Sequence, residues 1–599
     1  MPASFPSVTA NINSALTPQT PGERHILLVG CMISGTALSG DLVEDLLSEA
    51  DFNAAFGRTS QIAKAGRAII NKLSISKIRP KISAIGLTDN VSGVAATGNI
   101  IFSGTATEAG TLTVKIDSSK NGSYSLSIAS GDTADDIGIA LAALITANLD
   151  TPVSGANSNG NVTLTAKNDG TQGNNIGIEV SGTVAGVVYT INAMSGGATD
   201  PSLTSLFDPV ADKRYTSIVY PAEWGTSTLT TFTEARFNVD DKIIDGQGIV
   251  AKNDTYANHN TALDALNFKT LCFIPNKLVT KTSTIDLGTI SSITQTAGTA
   301  TVTCAADHGL ATGFKVTVSG ANESEYNLSN AIITVTGATT FTYAVDSGAA
   351  SPATGTISIV ANITKASKGA IFESPIVLAG VAAAARELRL TQGSNVSAIV
   401  TNGQGTGGSF FGGIPYHNTP FTDLAIIATG NDYTDTEALE LRNSGGWLFR
   451  NNPANTVIIS QPAVTTYKTN ALGNPDVTFK YLNYIDTLTI VRDYIFSNWK
   501  ADFSQHILTD GDLIGGRPMV NREGFIARTM GYYAELSGTN GSKDYVLLRA
   551  GSANQAAFKQ ALTDSVVITL STGTITVDAI ANIVTQLRNI IANFTPTFE

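Results

Sequence analysis

Between residues 91 and 200 the chain abandons helix-length periodicity for short strands of alternating polarity, and this switch constrains its architecture more than any other feature. IIFSGTA, GTLTVKI, SYSLSIA and NVTLTA alternate apolar residues with Ser, Thr or other polar ones and are separated by Gly, Asn or Ser turns. That is the pattern of strands with one buried face. The stretch FSGTATEAGTLTVKI, residues 102–116, reads as a β-hairpin around a Gly-centred turn. Within the block, GDTADDIGIALAALITANL sets Ile137, Ala140, Leu141, Leu144 and Ile145 at helical spacing. Asp132, Asp135 and Asp136 crowd the N-terminal end of that helix, where its dipole favours them.

On either side the rhythm differs. HILLVGCM (25–32) reads as a buried strand, and a helical stretch follows over 41–73, with Leu42, Leu46, Phe52, Phe56 and Ile62 recurring among charged residues. YTSIVYP (215–221) and KTLCFIP (269–275) are expected strands with helical segments between them, the alternation of a partly parallel sheet. Residues 287–360 interrupt this again with TATVTCAADHGLATGFKVTVSGANESEYN and ITVTGATTFTYAV. The α/β pattern resumes at 374–390, where Ser374-Pro375 reads as an N-cap followed by proline at the first helical position. The apolar run from Pro375 to Ala385 is too short to span a bilayer, so no membrane insertion is expected. Helical periodicity recurs near 523–536 and 552–562, followed by a hairpin signal, VVITLSTGTITV, turning at Ser571 to Gly573.

Little here offers chemistry. Charged residues make up 14% of the 599, against roughly 25% in an average domain, and the net charge is −12. No basic stripe exists to track a phosphate backbone, so nucleic-acid binding is not expected. MPASFPSVTANINSALTPQTPGERH has no basic residue before Arg24 and no apolar core, unlike a signal peptide. Cys31, Cys272 and Cys304 lie far apart, which suits a reducing compartment; synthesis in a cytoplasm is the expectation. The Gly-rich NGQGTGGSFFGG (402–413) lacks the Lys-Ser/Thr of a phosphate cradle and reads as a loop. No G-x-S-x-G, H-E-x-x-H or C-x-x-C occurs, and His25, His259, His308, His417 and His506 show no metal-pair spacing. His308, in DHGL, is expected to support a turn, and Asp240, Asp241 and Asp245 to line a solvated helix end. Neither an enzyme nor a cofactor is expected.

Several stretches carry a resemblance. ATGNIIFSGTATEAGTLTVKI, SLSIASGDTADDIGIALAALI, QPAVTTYKTNALGNPDVTFKYLNYIDTLTIVRDYI (461–495) and the closing VTQLRNIIANF are similar, in order, to the contractile tail sheath proteins of myophages, specifically the Mu-like branch. The segment from Val464 to Arg492 is the most specific, with Thr-Thr-Tyr-x-Thr-Asn at Thr465 to Asn470. The 287–360 block departs from shorter members and resembles a small β-module that recurs in phage structural proteins. The resemblance implies a virion protein assembled in the host bacterial cytoplasm. It implies homo-oligomeric, hexameric rings stacked helically around a tail tube protein, with baseplate and tail-terminator proteins as further partners and no cofactor. It also implies that extended terminal arms add strands to neighbours' sheets, and that contraction drives the tube through the host envelope.

The fold expected is therefore an α/β core, with a mixed, partly parallel sheet and flanking helices, interrupted by two inserted β-rich modules and bearing extended N- and C-terminal arms. Its divisions are an N-terminal arm over 1–25 and core parts over 26–90, 205–286 and 363–495. A β-rich domain with one helix occupies 91–204 and a second small β-module 287–362. A C-terminal assembly domain over 496–583 and an arm over 584–599 complete the chain. Phe5, Val8, Ile12 and Leu16 are the expected N-terminal arm contacts; Leu587, Ile590, Ile591 and Phe594 are those of the C-terminal arm. Val566, Val567, Ile568, Ile575 and Val577 form the candidate acceptor hairpin, and Gln555 and Lys559 mark a helix expected to face the tube. One conflict stands: Ile580, Ile583, Val584, Leu587, Ile591 and Phe594 fit helical spacing, whereas the resemblance makes the end extended. The rival reading is a modular β-rich adhesin or glycan-binding virion surface protein. It calls for a groove of exposed aromatics, and aromatics total only 7%.

Overall fold

The computed structural model describes residues 7–12, 24–74, 79–237, 244–393, 410–411, 419–421, 424–454, 456–460, 463–503, 505–537, 545–546, 552–569 and 574–580. Strand β1 (Ser7–Ile12) belongs to a terminal sheet considered below. β2 (His25–Cys31) lies parallel to β4 (Lys81–Leu87), and the two-residue β3 (Leu42–Val43) pairs antiparallel along β4's other edge. The helical stretch expected over 41–73 is thus a short strand and two helices, α1 (Glu49–Phe56) and α2 (Gln61–Leu73). Separate caps divide them: Ser48 and Asp51 form a capping box, Gly57 ends α1 at φ +81°, and Ser60 accepts from the Ala63 N–H to start α2.

The first strand-rich region holds β5 (Ala95–Gly104), β6 (Gly110–Ile116), β7 (Ser123–Ile128), α3 (Ala134–Ala147), β8 (Val153–Ser158), β9 (Asn161–Asp169), β10 (Ile178–Ser181) and β11 (Val187–Ser195). The expected hairpin at 102–116 does not form. β5 pairs with β11 and β9, whereas β6 pairs with β7 and β10. Residues 102–116 instead cross from one sheet to the other, turning at Gly104 (φ +86°) and held where the Ala106 N–H donates to Asp132 O. Alternation fixes which face a strand buries, not which strand it joins. The two sheets and α3 enclose a core of Phe102, Leu112, Val114, Leu126, Leu141, Ile178 and Ile191.

The chain then returns to the core through β12 (Ser217–Val219), α4 (Ser227–Ala235), β13 (Gln247–Asp254), α5 (Tyr256–Asp264) and β14 (Leu271–Asp286). β4, β2, β12, β13 and the first half of β14 make a parallel sheet in that order. A parallel sheet needs cover on both faces, and alternate residues supply it. Ile26, Leu28, Ile249 and Ile274 face one helical layer; Leu27, Val29, Val250 and Phe273 face the other.

Beyond Lys277, β14 pairs antiparallel with β21 (Gly355–Gly369). Between them lie β15 (Ile290–Thr296), β16 (Thr299–Cys304), β17 (Lys315–Ala321), β18 (Ala331–Ile332), β19 (Thr334–Gly337) and β20 (Thr340–Ala344). β21 also pairs with β10 and with β17, so one sheet runs from the core into both strand-rich regions. β15, β16, β20 and β19 form a smaller sheet packed around Val302, Phe314, Tyr326, Phe341 and Ile359. Ile101 of β5 enters that cluster, and Ser103 Oγ donates to Gly309 O at 2.7 Å, so the two regions lean on one another. His308 does hold a turn: its Nδ1 accepts from the Leu310 N–H at 3.1 Å.

α6 (Pro375–Gly393) packs along α2 and the core sheet. Within NGQGTGGSFFGG only Phe410 and Phe411 are described; as β22 they pair with Tyr545–Val546. β23 (Pro420–Phe421), α7 (Asp435–Asn443), β24 (Phe449–Asn451) and β25 (Val457–Ile459) lead to α8 (Leu482–Phe503). α8 runs unbroken across residue 495, where a division was expected. β26 (Ile507–Leu508) and β27 (Met519–Val520) precede α9 (Arg522–Leu536); β28 is Tyr545–Val546, and α10 (Ser552–Ser565), β29 (Val567–Thr569) and β30 (Thr574–Ile580) follow.

Candidate assembly interface

The terminal sheet is built from both ends of the chain. β29 and β30 form the hairpin anticipated from VVITLSTGTITV, with Ile568 opposite Ile575. β1 completes it antiparallel to β30, in register from Ser7↔Ile580 to Ile12↔Ile575. The order is β1-β30-β29, so β30 is the centre and β29 an edge. Ile580 is therefore a strand residue, despite fitting the helical spacing of the segment after it.

One face of the hairpin is buried. Val566, Ile575 and Val577 are at most 3% exposed, Ile568 packs partly against the same cluster, and Val567 points outward at 54% exposed. Beneath lie α9 and α10, joined by Tyr533 against Phe558 with ring centroids 4.7 Å apart. Arg522 holds the end of α10: its Nε donates to Val566 O at 3.0 Å and its Nη2 to Thr563 O. Cationic donors on the last carbonyls of a helix suit both their orphaned lone pairs and the dipole. On α10 itself Phe558 and Leu562 face inward, Gln555 is half-buried and Lys559 is exposed.

Of the remaining expected contacts, Val8 and Ile12 lie in β1. Phe5, Leu16, Leu587, Ile590, Ile591 and Phe594 fall outside the described residues, as do Asp240 and Asp241.

Asp245 departs from its expected solvated place. It is 6% exposed and ion-paired to Arg492 of α8, 247 residues away. Burial pushes its carboxyl up, but Arg492 and Arg214 outweigh this and hold it below the usual carboxylate range. A second buried knot went unread in the sequence. Arg386 of α6, 3% exposed, donates through Nε to Asp486 Oδ2 of α8 at 3.1 Å and through Nη1 to Thr216 O at 2.5 Å. Its Nη1 also reaches Ser217 Oγ at 2.7 Å and Glu387 Oε1 at 2.9 Å. These pairs lock α8 and α6 to the start of β12. The available signal was Arg386-Glu387 directly after the apolar run Pro375 to Ala385, and Arg492 inside TLTIVRDY.

Among the described residues no group of three His, Cys, Asp or Glu is placed to hold a metal ion, and no helix is long and apolar enough to cross a membrane. Cys31, Cys272 and Cys304 are buried free thiols. The surface that this arrangement offers is backbone: a sheet with a tethered outer strand at one side and a short exposed edge at the other.

No protein-family model matches the chain. Solved sheath tail proteins from Listeria innocua and Desulfitobacterium hafniense are each 12% identical, with TM-scores of 0.37 and 0.35. They cover 94% and 88% of this chain, and 94% and 89% of their own, but superpositions that loose say nothing about this fold. In sequence, the chain is 28% identical over 273 residues to the Mu-like prophage FluMu tail sheath protein of Haemophilus influenzae. That match takes in 43% of the chain and 52% of the relative, so the chain spans about half the length of the protein it matches. The likeness to Mu-like tail sheath proteins read from the residues is thus met by a tail sheath protein of a Mu-like prophage.

Proposed function

We propose that this chain is the structural subunit of a contractile phage tail sheath. It polymerises as helically stacked, hexameric rings around a tail tube, links to its neighbours by strand-donating terminal arms, and contracts to drive the tube through a host envelope. It is assembled in the host cytoplasm and resides in the virion tail, with baseplate and terminator proteins at the sheath's ends. The two strand-rich regions point outward, and Gln555 and Lys559 of α10 look toward the tube.

The observation that carries this reading is the pairing of β1 with β30. Residues 13–24 separate β1 from β2, and twelve residues reach at most about 40 Å. The strand that closes the hairpin within one chain can therefore leave it and close the hairpin of the next. Such an exchange is strand addition by an identical element, and a head-to-tail exchange that does not close gives an open helix. Each ladder hydrogen bond contributes about 0.5–1.5 kcal/mol. One arm is weak, but every subunit carries it.

Thr9 and Asp578 are register partners across β1 and β30. Oxidising the Thr9→Cys, Asp578→Cys protein after assembly should give a ladder of covalent multimers on a non-reducing gel, alongside tubes in electron micrographs. Monomer-only crosslinking within tubes would remove arm exchange from the reading; the absence of any tubes or polysheaths from the wild-type chain would remove the sheath itself.

A further inference from the structure

The seam between the first strand-rich region and the core brings three ionisable side chains to one point. Lys64 of α2 donates its Nζ to Asp117 Oδ2, just beyond β6, and stands 3.5 Å from Glu373 Oε1, just before α6. The three side chains are 12%, 5% and 13% exposed. Asp117 is held by its backbone. It takes the left-handed φ of +67°, its N–H donates to Gly177 O at 2.7 Å, and the nearby Ser119 N–H donates to Phe372 O at 3.2 Å. A non-glycine residue keeps such a conformation only where its surroundings over-determine it, and such residues gather where a side chain must be placed.

The electrostatics set one base against two acids. Burial, reinforced by the Asp117 charge and opposed by Lys64, pushes the Glu373 carboxyl up to about 7, so it can both give and take a proton near neutral pH. Burial works against the Lys64 charge, yet Asp117 and Glu373 together hold its amine above the ordinary lysine range. The resting state is an ion pair between Lys64 and Asp117, with Glu373 beside it.

We propose that Lys64 and Asp117 condense spontaneously, with Glu373 as the proton shuttle, to form an amide between Lys64 Nζ and Asp117 Cγ. The Lys64 ammonium gives a proton to the Asp117 carboxylate, and the freed amine attacks Cγ. Glu373 takes a second proton from the nitrogen and delivers it to the departing hydroxyl. The N–C bond forms, the C–O bond breaks, one water leaves, and nothing is oxidised or reduced. Condensation that is unfavourable between free molecules gains from fixed orientation, where effective molarities reach about 10⁵–10⁸ M. A water-sized cavity lined by Asp117, Gln172, Asn175 and Glu223 adjoins the site. The product would bolt the first strand-rich region to α2 across 53 residues of chain, independently of whether the protein forms a sheath.

Intact-mass spectrometry of the full chain under denaturing conditions tests this. The expected mass is that of the sequence less one water, with trypsin releasing segments 59–67 and 116–120 as one branched product. Glu373→Gln and Lys64→Met proteins, shown to be folded by near-ultraviolet circular dichroism, should keep the full sequence mass. A folded wild-type chain at sequence mass overturns the proposal. So does a loss confined to the 116–120 segment as a cyclic imide, or a loss that persists in Lys64→Met.

Discussion

Replacing Arg386 with methionine should be among the most damaging single changes available to the core. The side chain's length and most of its packing survive, but a cation 3% exposed disappears from between Asp486, Glu387, Ser217 and the Thr216 carbonyl. Removing one partner of a buried ion pair costs about 3–5 kcal/mol, because the remaining carboxylates stay buried without their counter-charge. Against a total of about 5–15 kcal/mol, that is a large share of the stability of the body it belongs to. Trp499 lies on α8 with Asp486 and is 4% exposed, so its fluorescence reports the unfolding of this core. At a urea dependence of about 2 kcal/mol/M, the midpoint of that transition should fall by roughly 2 M. Asp486→Leu should cost a similar amount alone and much less when added to Arg386→Met, giving a coupling of at least about 2 kcal/mol. A single-mutant loss below about 1 kcal/mol, or a coupling near zero, would mean that α6 and α8 are held by apolar packing and that the ion pair merely occupies the space.

Other perturbations read different parts of the structure. Gly66→Ala, which favours an isolated helix by about 1 kcal/mol, should destabilise this one by about 1–3 kcal/mol in urea titration, because the new Cβ would overlap the Phe52 ring. Burial raises the Glu223 carboxyl from its ordinary 4.5 to about 7. The folded chain then holds more protons than the unfolded one across that interval, so stability falls as pH rises from about 4.5 to 7. Glu223→Gln should flatten the slope by on the order of 2 kcal/mol, allowing for partial exposure; an unchanged thermal-unfolding profile across those pH values would rule this out. Asp245 behaves oppositely, since Arg492 and Arg214 keep it ionised against burial. Its contribution is present above the usual carboxylate range and lost in acid, and Asp245→Asn should remove that acid-limb dependence in the same scans. A chain truncated after Val584 should remain monomeric in sedimentation and form no tubes; tubes from that truncation would leave the C-terminal arm without a role.

How much of this was legible depended on whether the information was local. HILLVGCM and KTLCFIP announce strands because a parallel strand covered on both faces must be apolar throughout, and β2 and the start of β14 are that. VVITLSTGTITV announces its hairpin because turn and alternation lie within one short window. FSGTATEAGTLTVKI misled for the same reason, since two alternating strands with a turn between them specify faces and leave the partners to the rest of the chain. Arg386 and Asp486 are 100 residues apart, and Asp245 and Arg492 are 247 apart, so no local pattern could pair them. A charged pair directly after a long apolar helical run was nonetheless a warning that a distant partner existed.

The same distinction bears on how a load would pass through the molecule. Two strand-rich regions read as sequence insertions suggest knobs on flexible necks, but the hydrogen bonds describe something stiffer. β14 is buried throughout its first six residues, Leu271 to Asn276, and alternates thereafter, so a single strand begins inside the parallel sheet and ends outside it. β21 lies along that outer half while pairing in turn with β10 and β17. β10 of the first region joins β21 at Ile178 and Glu179, and β17 of the second joins it between Lys315 and Ala321, so ladder hydrogen bonds tie both regions to one strand. Such bonds are individually weak at about 0.5–1.5 kcal/mol, yet loaded in parallel they resist as a set. Both strand-rich regions are therefore continuous with the core through one sheet, in which β14 and β21 are the shared strands.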